Sequence, residues 1–67
     1  MMQIHSNDDG TFRISSDCVW RPGIYESEEV CRIAEARPDE ELNTLQQIAN
    51  LRVPNGRGVI TKQDLQE

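Results

Sequence analysis

At 67 residues, with 36% apolar and 4% aromatic content, the chain is long enough for one small domain with a thin core, a sheet layer against a helix layer. That size leaves little room for an enclosed ligand pocket and argues against an enzyme. The net charge of −5 is carried wholly by residues 26–41, where seven acids face only Arg32 and Arg37. Such a stretch repels phosphate and suits a basic protein surface, or simply a solvated helix face.

Taken in chain order, the first pattern has period two. Met2, Ile4, Phe12 and Ile14 are apolar around an Asn7-Asp8-Asp9-Gly10 connection, and Asp-Gly between alternating segments is a strong hairpin signal. The expectation is a β-hairpin over residues 2–6 and 11–15, with His5 on the polar phase as an exposed strand residue. Cys18-Val19-Trp20 is a short apolar run before the Arg21-Pro22-Gly23 turn, and a third strand is expected near 17–20 or 23–25. The thin core favours burial of Trp20, the alternative being an interface anchor.

Ser27 is a good N-cap, with Glu28 and Glu29 in the first turn, where the helix dipole favours negative charge. Val30, Ile33, Ala34 and Arg37 follow at helical spacing, which predicts a first helix from about 28 to 36, stopped by Arg37-Pro38. Pro38 suits the first position of a second helix, with Asp39, Glu40 and Glu41 in its first turn. Leu42, Leu45, Ile48 and Ala49 form its stripe, and Asn50 would end it in the left-handed conformation. Both helices are expected to lay their apolar faces on the hairpin, with Phe12, Ile14, Val30, Ile33, Ala34, Leu42, Leu45 and Ile48 in the core. On that reading Leu45→Ala costs about 2–5 kcal/mol. Beyond a Pro54-Asn55-Gly56 turn, Thr61 and Asp64 have the spacing of a capping box opening a final helical turn with Leu65. The fold class predicted is therefore α+β.

Chemistry-bearing residues are sparse. The paired carboxylates sit where helix first turns attract them, and nothing suggests the desolvated cleft that acid–base catalysis needs. Ser15, Ser16 and Ser27 lack an obvious base, since His5 is the only imidazole; a pairing of His5 with Cys18 or Cys31 is arithmetically open but does not make a dyad. No metal or cofactor is expected. Met1-Met2-Gln3-Ile4-His5 leads straight into polar residues without the apolar run of a signal peptide, so both cysteines are expected as free, buried thiols in a reducing cytosol, a disulfide being the alternative. No apolar run reaches the ~18 residues a membrane span needs. Gly56-Arg57-Gly58 is too short for a phosphate loop and lacks the following Lys-Ser/Thr. With Arg52 it forms the one locally basic loop, a solvated turn or a phosphate contact.

Gly23-Ile24-Tyr25-Glu26-Ser27, Asp39-Glu40-Glu41-Leu42 and Ile60-Thr61-Lys62-Gln63-Asp64-Leu65 together resemble short reading frames of phages and mobile elements. The resemblance implies a small accessory protein acting in a host cytosol, of the kind that binds and blocks a larger defence or transcription machine. A second resemblance, over residues 25–30, the second helix and residues 55–65, is to the helix–turn–helix and wing of excisionases. It implies DNA contact through Arg52 and Arg57, although the helix in the recognition position is acidic where a DNA reader is basic. The leading expectation is a non-catalytic protein-binding module, monomeric or homodimeric, that meets a basic partner through Glu28, Glu29, Asp39, Glu40, Glu41 and, where exposed, Trp20. The alternative is a winged-helix-like DNA-binding factor.

Overall fold

The computed structural model describes residues 1–66. Strands β1 (Met2–Ser6), β2 (Phe12–Ser16) and β3 (Val19–Trp20) precede helices α1 (Glu28–Glu35), α2 (Asp39–Leu51) and the single turn α3 (Lys62–Leu65). The three strands form one antiparallel sheet in the order β1-β2-β3, so the fold is α+β.

The hairpin follows from its loop. Gly10 takes a φ of 89°, and Asn7 and Thr11 close the loop through a backbone hydrogen bond of 2.7 Å. The resulting register sets Ile4 opposite Ile14 and His5 opposite Arg13. Because side chains alternate across a strand, Met2, Ile4, Phe12 and Ile14 share the core face. Gln3, His5, Arg13 and Ser15 share the other, joined there by Trp20, which is paired with Ser15. A second tight turn carries β2 into β3, with Asp17 and Cys18 at φ 51° and 66°. Cys18 is therefore an exposed residue at a turn tip and not a buried hydrophobe, while Cys31 is buried; both thiols are free.

Tyr25 ties the two halves of the chain together. Its backbone forms an antiparallel bridge with Phe12 and a parallel one with Ile60, so one residue joins the hairpin to the C-terminal segment. Its ring is fully buried, and its hydroxyl donates to the Pro22 carbonyl.

Ser27 caps α1 by accepting from the Val30 amide at 3.3 Å. Val30, Cys31 and Ala34 turn inward. Pro38 is the N-cap of α2 and makes no side-chain cap bond; the negative charge of Asp39, Glu40 and Glu41 stabilises that end instead. The helix does not stop at Asn50 in a left-handed conformation. It runs to Leu51, and Asn50 uses its Oδ1 to accept the Gly58 amide at 2.9 Å. The capping box at α3 forms as the spacing predicts, between Thr61 and Asp64.

The core consists of Ile14, Tyr25, Val30, Cys31, Ala34, Leu42, Ile60 and Leu65, with Met2, Ile4, Phe12, Ile33 and Leu45 packed against it. Two expectations are corrected. Ile48 is 49% exposed and Trp20 52% exposed, so neither is core. In α2 only Leu42 and Ala49 are buried, and Leu45 is half-buried. The burial penalty assigned above to Leu45 therefore passes to Leu42. Leu42→Ala should cost about 2–5 kcal/mol, and Leu45→Ala about 1 kcal/mol, in proportion to the smaller apolar area it removes from water. Urea unfolding of both variants checks this; equal midpoints would show that α2 is seated differently.

Candidate functional site

The acidic residues do not form a free field. Glu28 faces Arg32 at 3.9 Å, Glu29 meets Lys62 at 2.8 Å, Asp39 meets Arg21 at 2.9 Å, and Glu41 pairs with Arg37. Exposed pairs of this kind add little stability, but they cancel charge locally. Glu40 has no basic partner among the described residues. The pairs of Arg21 and Lys62 reach across the chain. Arg21 also donates to the carbonyls of Glu35, at 3.0 Å, and Arg37, at 2.5 Å, fastening the end of α1 to the start of α2.

Glu40 and Glu41 flank an open groove of about 320 Å³ that also includes Pro38, Thr44 and Leu45. Farther along α2 lie Ile48 and Leu51, the latter 87% exposed. At helical spacing Glu41, Leu45 and Ile48 fall on one side of the helix, with Thr44 and Leu51 beside them. This stripe places apolar surface next to acidic surface.

The two residues of the predicted basic loop have different fates. Arg52 donates to Asp64 at 2.8 Å. That bond, together with the Thr61 amide, holds the Asp64 carboxyl below the usual carboxylate range. Arg57 is exposed and has no acidic partner among the described residues. It lies instead on a second open groove, of about 430 Å³, with Arg13, Ile24, Gln46, Asn50 and Gly56. Residues 55–61 form a turn and the single Ile60 bridge, and no hairpin wing.

Trp20 stands on the outer face of the sheet between two neighbours. The Arg13 guanidinium carbon lies 4.3 Å from its ring centroid, and the His5 ring is tilted against it at 4.7 Å. His5 shares a 2.9 Å hydrogen bond with Ser15 Oγ. Ser15 has no base near it along the chain; the register supplies one, because His5 lies diagonally across from it. Among the described residues no carboxylate bonds the imidazole, and the pair packs the sheet face under Trp20. Neither cysteine meets His5. Burial pushes the Cys31 thiol up to about 11, which keeps it protonated and unreactive.

Among the described residues no cluster of three His, Cys, Asp or Glu side chains could hold a metal, and no helix is long and apolar enough to cross a membrane. No family model, curated protein or solved structure matches the chain, so its function is read from these surfaces.

Proposed function

We propose that this chain is a non-catalytic binding module that docks a basic, partly apolar protein surface onto the exposed side of α2. The observation that carries the reading is the stripe of Leu45, Ile48 and Leu51 running beside Glu40 and Glu41. Exposed aliphatic side chains contribute about 1.5–3 kcal/mol each when fully buried at an interface. The acidic lip sets the sign of the partner's charge, and the net charge of −5 speeds its approach. An accessory protein of a phage or mobile element, blocking a larger host complex, is the biological setting that suits such a module. Trp20, the one apolar side chain of the predicted contact set, lies on the sheet and is not needed for this interface.

The test is capture from the natural host with matched variants. Ile48→Ser with Leu51→Ser should abolish retention of the partner without unfolding the chain, since both side chains already face solvent. Glu40→Lys should slow association and weaken its salt dependence; it is the cleanest reversal, because Glu28, Glu29 and Glu41 have internal partners. Trp20→Ala and Arg57→Ala should leave capture intact. Loss of capture with Trp20→Ala but not with the α2 variants would move the interface to the sheet. Self-association of the purified chain that Leu51→Ser removes would assign the α2 face to a second copy. Either result overturns the proposal.

A further inference from the structure

The cations divide into two groups. Arg21, Arg32, Arg37, Arg52 and Lys62 each lie within 4.0 Å of a carboxylate. Arg13 and Arg57 have no such partner among the described residues, and these two line the same groove. Among the described residues no carboxylate lines it. In a chain with 12 acidic residues, a groove that collects the two uncompensated guanidiniums and excludes acids is electrostatically distinct from the rest of the surface.

Both arginines are positioned without their guanidinium donors being used. Arg13 is held by stacking on Trp20 at 4.3 Å, and Trp20 in turn leans on His5. Arg57 is presented by a loop whose own amide bonds Asn55 Oδ1 at 2.9 Å. The next residue, Gly58, is fixed to α2 through Asn50. Neither guanidinium donates a hydrogen bond among the described residues. Asn50, whose Oδ1 is occupied by Gln46 and Gly58, keeps its Nδ2 hydrogens unused there as well. The groove thus offers donors and no anionic acceptor.

We infer that this groove binds the phosphate group of a small phosphomonoester, with Arg13 and Arg57 as the two ligating forks and Asn50 as an accessory donor. Guanidinium forks match phosphate oxygens bidentately, and two positive charges match a monoester carrying about two negative charges near neutral pH. A nucleic-acid strand is disfavoured. It presents a row of phosphates, whereas among the described residues no third uncompensated cation extends the site, and the chain's net charge is −5.

The experiment titrates the full chain with methyl phosphate, dimethyl phosphate, acetate and a short single-stranded oligonucleotide at constant ionic strength. Emission from Trp20, the sole tryptophan, and the arginine Nε–H resonances are followed. Methyl phosphate should bind saturably and shift both Arg13 and Arg57, about tenfold more tightly than dimethyl phosphate or acetate. Arg13→Gln and Arg57→Gln should each weaken binding about tenfold. Trp20→Leu should weaken it less, by releasing Arg13 from its stack. Unchanged thermal melting of Arg57→Gln, an exposed loop variant, separates lost binding from lost fold. Equal affinity for all the small anions, or no saturable binding of methyl phosphate, overturns the inference. So does tighter Arg57-dependent binding of the oligonucleotide, which would give the groove to nucleic acid.

Discussion

Gly58→Ala should leave the chain largely unfolded at room temperature. Gly58 is buried, and a Cβ built on it would collide with the carbonyl group of Ala49 and crowd the Asn50 amide nitrogen. These are backbone atoms of α2, so no side chain can rotate away. The tail would have to lift, breaking the bonds from its amide to Asn50 Oδ1 at 2.9 Å and from Gln46 Nε2 to its carbonyl at 2.7 Å. Gln46 also accepts the Ile24 amide at 2.7 Å, so the disturbance reaches the segment leading to Tyr25. Lifting the tail withdraws Ile60 and Leu65 from the core. A loss above about 4 kcal/mol belongs to this class of substitution. The whole stability expected of 67 residues is about 3–10 kcal/mol. Gly56→Ala is the control. Its surroundings are open and only its φ of 71° resists a side chain, so it should cost about 1–2 kcal/mol. Far-UV circular dichroism and urea unfolding read both variants. A Gly58→Ala protein melting within a few degrees of the parent would mean that the tail does not rest on α2.

What could be read from the sequence was local. The hairpin, the Ser27 cap, the break at Pro38 and the Thr61–Asp64 box each depend on residues a few positions apart, and each forms within a residue or so of its expected place. Contacts between distant segments had no comparable signal. Tyr25 belongs to no alternating or helical stripe, yet it is the residue on which hairpin and tail meet. Ile48 continues the apolar stripe of α2, but the stripe is wider than the core it can reach, so its outer edge is left in solvent. The acidic run looked uncompensated because its partners Arg21 and Lys62 lie outside it. Among the arginines, Arg57 drew attention through its glycines. Arg13 did not, because an arginine on the polar phase of a strand is ordinary until the sheet brings it to Trp20 and the tail brings Arg57 to the same groove.

Tyr25→Ala should be as damaging as the glycine substitution, for a different reason. The phenol ring is the largest fully buried side chain. Deleting it removes its transfer free energy and opens a cavity, about 3–5 kcal/mol for an aromatic-to-alanine change. Tyr25→Phe keeps the volume and loses only the bond to the Pro22 carbonyl, about 0.5–1.5 kcal/mol, so the two variants separate packing from hydrogen bonding. The conservative variant also tests the alkaline limb of stability. Burial pushes the Tyr25 hydroxyl from 10.0 up to about 12, and the Cys31 thiol from 9.0 up to about 11. In both cases the folded chain keeps a proton that the unfolded chain releases. Stability from Cys31 is therefore complete below pH 9.0 and declines toward about 11, and that from Tyr25 is complete below 10.0 and declines toward about 12. Urea midpoints of the parent should fall across the whole interval. Those of Tyr25→Phe should fall through the cysteine's window and then decline less steeply than the parent's, the remaining slope coming from Lys62, whose ammonium Glu29 holds above its ordinary value. Superimposable alkaline limbs for the two proteins would mean that the phenol is already in water, and that Tyr25 does not join hairpin to tail.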